Sequence, residues 1–365
     1  MLPLDIAFVV AGLALLVAGG EARVRSAATI ATRLGIPPVV VGLVVVSAAT
    51  SSPELAVTVG ALIDGEPGLA VGNVIGSNIA IILLILGISA MISPLVINRQ
   101  IVRFDIPVMI VIAVLLLFFS LDGNLTLIEG LILFSGLVFH VIRSIQLGRR
   151  EVREQQLPEN ALPLNNASLP IWLALILLII GVGLLAVGSQ LLVTGSVNIA
   201  VALGVSGLVV GLTVVAIGTS LPELATSIVA LIKGERDMAV GNIVGSNIFN
   251  IGLVLGLPAM IFGGGIPIPA AAIAIDIPLM LAATVALAPL AFTGFKIARW
   301  EGTLFFLLYV AYILYVVLAS TEHDAAQGFT NLMLWFVLPL VLATMVAVTA
   351  YELGLRKGRS AIRSK

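Results

Sequence analysis

The 365-residue chain has no cysteine, only two histidines and few charges: Asp, Glu, Lys and Arg make up 10% of it, where soluble proteins carry about 25%. Without cysteine there is no disulfide framework, thiol nucleophile or thiolate metal site. Two histidines are too few for the usual zinc ligand sets. Lys and Arg number 18 against 19 acids, a net charge of −1 that excludes a polybasic nucleic-acid binder. Hydrophobic residues fill the space instead, at 60%. The composition predicts an all-α polytopic membrane protein, whose chemistry must come from carboxylates, amides, hydroxyls and backbone.

Apolar runs long enough for a span of about 20 residues recur eleven times, at 5–22, 37–63, 68–92, 104–121, 125–142, 168–200, 206–232, 238–262, 270–293, 301–319 and 330–350. Lys and Arg concentrate in cytoplasmic loops of such proteins. With the N-terminus outside, every basic residue falls on the inner side. Arg23, Arg25 and Arg33 follow the first run, Arg99 and Arg103 the third, and Arg143, Arg149, Arg150 and Arg153 the fifth. Lys233, Arg236, Lys296, Arg299 and the basic tail from Arg356 onward follow suit. The first run reads as a span rather than a signal peptide, because its arginines come after the apolar stretch and not before it. Trp172, Trp300 and Trp335 fall near span ends, as interfacial anchors do.

Comparing the two halves reveals an internal repeat. Residues 42–92 align without a gap on 211–261 at an offset of 169, and well over half the positions are identical. SSPELAV matches SLPELAT, ALIDGE matches ALIKGE, and AVGNVIGSNI matches AVGNIVGSNI. The match extends to Gly12, Gly19 and Gly35 against Gly181, Gly188 and Gly204, and onward to Asp105 against Asp276 and Glu129 against Glu301. Each copy carries five spans. Five is odd, so the second copy crosses in the opposite sense, and inverted repeats place a binding site near the midplane where they meet.

Glu54 and Glu223 fall mid-span at equivalent positions, where an ionised carboxylate needs a partner, a cavity or an ion. Ser47, Thr50, Ser51 and Glu54 share one helix face, as do Thr219, Ser220 and Glu223. Pro53 and Pro222 each remove a helical N–H, which is expected to free the carbonyls of Ala49 and Gly218. On the next helix, Asn73 and Ser77 lead to Ile81, whereas Asn242 and Ser246 lead to Asn250, so only the second copy continues its polar stripe. Gly72, Gly76, Gly241 and Gly245 have the i, i+4 spacing that permits close helix approach. Such oxygen donors suit hard cations, and a pair of negative charges matches one Ca²⁺ or more than one Na⁺. Asp105 and Asp276 are read as charges stabilising helix N-termini, and His140 as structural.

At these residues the sequence resembles the calcium/cation antiporter superfamily, whose paired α-repeats read G-T-S-x-P-E and G-N-x-x-G-S-N-x-x-[ND]. Gly218 to Glu223 with Gly241 to Asn250 match in full; Ala49 to Glu54 with Gly72 to Asn78 match closely. The prokaryotic Na⁺/Ca²⁺ exchangers are the most similar members. The resemblance implies Ca²⁺ bound by Glu54 and Glu223 with oxygens of Thr50 and Thr219. It implies flanking Na⁺ sites from Ser51, Ser77, Ser220 and Ser246 with carbonyls near Ser47 and Ala216, and a contribution from Asn250. Ile81 departs from the family's usual Asn or Asp, and Asn250 resembles the K⁺-independent branch.

The expected organisation is a first five-helix repeat over 1–146, a cytoplasmic linker over 147–167, a second, inverted five-helix repeat over 168–320, and an extra helix with a basic cytoplasmic tail over 321–365. The α-repeats lie at 42–92 and 211–261. The expected activity is secondary Ca²⁺/Na⁺ antiport in the cell membrane, with H⁺ as the alternative coupling ion because two close carboxylates can share protons. No enzyme activity, cofactor, nucleic acid or obligatory protein partner is expected. A cation channel is the rival class, disfavoured because channels usually assemble ligand rings from several subunits. An intramembrane hydrolase is disfavoured by the lack of a nucleophile–base motif.

Overall fold

The computed structural model describes residues 2–155, 170–203, 218, 220–292, 295–320 and 325–333, with scattered positions beyond 333. It is all-helical apart from two minimal ribbons. The helices are α1 (Leu2–Leu34), α2 (Pro38–Ile63), α3 (Pro67–Ile92), α4 (Ile101–Ser120), α5 (Leu127–Gln155) and α6 (Ile171–Ala202). After them come α7 (Leu221–Ile232), α8 (Arg236–Ile261), α9 (Ala272–Ala288), α10 (Arg299–Ser320) and α11 (Ala325–Leu332). Eight of these, α1 to α6, α8 and α10, are long and apolar enough to cross a membrane; α7 and α9 are shorter apolar helices.

Local sequence explains the boundaries. Pro38 and Pro67 start their helices, where a missing N–H costs nothing. Gly65 and Gly234, 169 residues apart, turn the chain with φ of +77° and +84°, a region closed to most side chains. π-helical stretches interrupt the helices at matching places in the two halves, at Ala80–Leu86 and Asn250–Leu255, and at Ile101–Asp105 and Ala272–Asp276.

Helices α3 and α8 form the centre: 78% and 83% of their most apolar stretches are buried, against 17% for α10. The outward surface is apolar, with Phe118, Ile128 and Ile179 each more than two-thirds exposed, as a lipid-facing surface must be. Outside this core α1 crosses α6 on glycines. A Cβ on Gly12 would lie 2.7 Å from the Gly188 carbonyl, and one on Gly181 would lie 3.0 Å from the Gly19 carbonyl. Close backbone approach of this kind is how helices associate where lipid removes the hydrophobic drive.

Strand β1 (Leu95–Val96) pairs antiparallel with β4 (Lys296–Ile297), and β2 (Asn124–Leu125) with β3 (Ile266–Pro267). Each ribbon joins a loop of one half to a loop of the other.

Several expectations need correction. The first helix continues twelve residues past the expected end at 22, so Arg23 and Arg25 lie within α1, and Arg23 is fully buried rather than in a loop. Helix α5 runs on to Gln155, past the expected span end at 142, so Arg143, Arg149 and Arg150 ride on a helix. The first half of the seventh expected span and most of the eleventh lie outside the described residues, as do Thr219, Ala216 and Gly204. Asp105, read as helix-end charge, is fully buried; its Oδ1 is 2.8 Å from His140 Nε2 and accepts from Ser144 Oγ at 2.8 Å.

Candidate functional site

Helices α2 and α7 bring Glu54 and Glu223 to the middle of the bundle, each 1% exposed. Pro53 lies inside α2, while Pro222 occupies the first turn of α7. The two carboxylates act on each other electrostatically, so they share one centre. Among the described residues, none of their four oxygens makes a well-formed hydrogen bond, although Thr50 also acts on Glu223. An unpaired buried carboxylate costs several kcal/mol or more, so this arrangement needs a cation or protons to be stable.

Neutral oxygens surround the pair. Ser51 and Ser77 are buried on α2 and α3, and Ser220, also buried, precedes α7; their hydroxyls have no partner among the described residues. The Thr50 hydroxyl lies 3.0 Å from the Ser47 carbonyl and 3.1 Å from the Ser246 hydroxyl, which ties α2 to α8. Ser246 in turn lies 3.5 Å from Asn242 Oδ1. The Ser47 side chain is used in packing, 2.8 Å from the Gly42 carbonyl and 3.1 Å from that of Asn242. Hydrogen bonds thus link Ser47 and Thr50 of α2 to Asn242 and Ser246 of α8; Ser51, Ser77, Ser220 and Asn250 are buried on or beside the same helices, while Thr219 and Ala216 lie outside the described residues.

The polar stripe of α8 continues as the sequence predicts. Asn250 Nδ2 donates to Asn78 Oδ1 at 3.0 Å, and Asn78 Nδ2 donates to the Asn247 carbonyl at 3.4 Å. Ile81, at the position equivalent to Asn250, is fully buried among apolar neighbours. Asn73 joins helices rather than facing the centre, donating to Thr58 Oγ1 at 3.1 Å and to the Glu54 carbonyl at 3.3 Å. Gly241 and Gly245 meet the backbone of α2 at Val39 and Leu43. The segment that repeat symmetry sets against Gly72 and Gly76, residues 208–216, lies outside the described residues.

One expected free carbonyl is taken. The Gly218 carbonyl, freed by Pro222, accepts from the Ser189 hydroxyl of α6, so proline created an acceptor that a neighbouring helix fills. Sequence reasoning also missed Asn78 and Asn247, although both stand in the quoted motifs. It missed Arg23 entirely. The Arg23 guanidinium donates to the Val46 carbonyl at 2.7 Å and to Thr226 Oγ1 at 3.1 Å, and the charges of Glu223 and Glu54 act on it. Among the described residues no cluster of three or more His, Cys, Asp or Glu forms.

Fold and site define an integral membrane helical bundle closed around a buried carboxylate pair in an all-oxygen setting. Comparison with known proteins makes this specific. The family model described as "Sodium/calcium exchanger protein" matches residues 4–146 and 173–318. The putative antiporter CaxA of Alkalimonas amylolytica is 39% identical over 308 residues, covering 84% of this chain and 96% of that protein. The sodium/calcium exchanger MaX1 of Methanosarcina acetivorans is 31% identical over 348 residues, covering 86% and 98%. A structure of the sodium-calcium exchanger NCX_Mj, soaked with Na⁺ and Sr²⁺, superposes with a TM-score of 0.72 at 31% identity, covering 86% of this chain and 99% of that one. The chain belongs to the sodium/calcium exchanger family, within the calcium/cation antiporter superfamily and of its prokaryotic type.

Proposed function

We propose that this protein exchanges Ca²⁺ for Na⁺ by alternating access at the centre formed by α2, α3, α7 and α8. Ca²⁺ binds between Glu54 and Glu223 with oxygens of Thr50 and Thr219. Na⁺ uses the hydroxyls of Ser51, Ser77, Ser220 and Ser246, carbonyls near Ser47 and Ala216, and the Asn250 side chain. The observation that carries this reading is the set of four buried carboxylate oxygens on adjoining helices that, like the buried hydroxyls of Ser51, Ser77 and Ser220, make no well-formed hydrogen bond among the described residues. Hard cations take oxygen ligands of this kind. The two cations compete for the same glutamates, and exchange results because an empty centre with two bare carboxylates does not readily change its access state.

The architecture proposed for this task is two inverted five-helix repeats, 1–146 and 168–320, joined by a linker and followed by an additional helix. The ribbons support inversion. The loop after α3 pairs with the loop before α10, and the loop after α4 with the loop before α9. Equivalent loops of the two repeats therefore sit at opposite ends of the bundle. The proposed setting is the cell membrane, with the N-terminus outside and the basic tail in the cytoplasm. Asp122 faces outward in this orientation, while Arg99 and Arg103 face inward, in keeping with the charge rule for loops.

The test is uptake of radioactive Ca²⁺ into proteoliposomes loaded with Na⁺, with K⁺, or with a pH gradient alone. Uptake that requires internal Na⁺ is the expected result. Uptake driven by the pH gradient and indifferent to Na⁺ makes H⁺ the coupling ion and overturns the Na⁺ assignment.

A further inference from the structure

Arg23 is a fixed cation in the middle of an apolar bundle. Its residue is 0% exposed and its Nε has no partner among the described residues. Guanidinium is charged at any physiological pH, and burying it costs several kcal/mol unless negative charge compensates. The charges acting on it, among the described residues, are those of Glu223 and Glu54. Yet neither of its hydrogen bonds goes to a carboxylate. They go to a backbone carbonyl and a hydroxyl, Val46 O and Thr226 Oγ1, the kind of oxygen a monovalent metal ion takes.

The place is built for it, and on one side only. The Arg23 stem runs over Gly181, where a Cβ would come within 2.9 Å of its Cγ. Repeat symmetry maps Arg23 onto Leu192 and Gly181 onto Gly12, and Leu192 indeed packs over Gly12. The Thr226 that receives the guanidinium maps onto Val57, a 41% exposed apolar residue. Charge and receptor therefore come from different copies, Arg23 from the first and Thr226 from the second, and the symmetry-related pair, Leu192 and Val57, has neither, as expected of a feature added to the symmetric design.

We propose that Arg23 is a tethered cation that takes the place of one transported monovalent cation at the glutamate pair. Two carboxylates and one guanidinium leave a formal charge of −1, so one Na⁺ fewer accompanies each Ca²⁺ than the bare pair would require. Arg23 is a specificity-determining residue for coupling, and this inference rests on the antiport reading above.

Coupling ratio is a thermodynamic quantity, so it can be read independently of rate or amount of folded protein. In proteoliposomes clamped at zero potential with K⁺ and valinomycin, the final Ca²⁺ ratio equals the Na⁺ ratio raised to the number of Na⁺ exchanged. Across a tenfold Na⁺ gradient, R23L, which installs the residue found at 192, raises the final Ca²⁺ ratio about tenfold over wild type. R23K, which keeps the charge, leaves it unchanged. If R23L does not fold, R23Q removes the charge while retaining donors for Val46 and Thr226 and gives the same increase. Wild type and the charge-free variants reaching the same ratio overturns the proposal, because a merely structural arginine alters rate and stability but not this endpoint. Absence of Na⁺-driven uptake by wild type instead removes the antiport reading itself.

Discussion

The centre of α3 and the centre of α8 carry nearly the same motif, yet one ends its polar stripe at Ile81 and the other at Asn250. Asn250 donates to Asn78 on the opposing helix at 3.0 Å, so the second stripe is a cross-link between the repeats as well as a lining. Ile81 contributes only apolar packing. The same one-sidedness appears at Arg23 and Thr226 against Leu192 and Val57. Symmetric helices thus hold an asymmetric centre.

The comparison breaks most severely at the one place where the halves agree. E54Q and E223Q each remove a ligand charge from a buried centre, and each is expected to weaken apparent Ca²⁺ affinity about 100-fold or more. Competition of Ca²⁺ against Na⁺ in detergent, or uptake in proteoliposomes, measures it. A variant that exchanges normally would remove its glutamate from the site.

A second comparison lies at the helix starts. Asp105 is buried against His140 and Ser144, whereas its counterpart Asp276 is half-buried beside Tyr312. D105N leaves a buried polar cluster without its anion and is expected to cost about 3 kcal/mol. D276N is expected to cost about 1 kcal/mol or less. Thermal unfolding in detergent compares them, and equal losses would show that burial does not separate the two sites.

The smallest effect sharpens the stripe comparison. N250I leaves Asn78 Oδ1 without its donor, a cost of about 1–2 kcal/mol, and is expected to weaken cation binding about tenfold. I81N restores polarity in the other stripe and is expected to change Na⁺ cooperativity while leaving Ca²⁺ affinity within about threefold, since it adds a neutral oxygen and no charge. Na⁺-dependence curves for the two variants decide it. Unchanged cooperativity in I81N places position 81 outside the ion path.

Much of this was legible in the sequence, because a repeat with an offset of 169 identifies Glu54, Glu223 and their serines twice over. Helix identities were legible too, since apolar runs bounded by Pro and Gly leave few alternatives. What escaped was non-local. Arg23 stands in a cluster with Glu21 and Arg25 that reads as the end of a span, and its receptor Thr226 is 203 residues away. A Thr in place of the repeat-equivalent Val57 was the available signal. Ser189 filling the Gly218 carbonyl was equally hidden, because repeat symmetry offers only Gly20 as its counterpart. Sequence pattern finds what both halves share; packing decides where they differ.

The two ribbons bear on how such a protein can change over generations. They are held by main-chain pairing between loops, at Leu95 with Ile297 and Leu125 with Ile266, and main-chain bonds do not depend on side-chain identity. The register between the halves is thus fixed at the ends of the bundle, away from the buried glutamate pair. Mutations in the lining can accumulate in one copy alone without the halves losing their alignment. A duplicated chain fastened this way can keep its frame while its selectivity drifts.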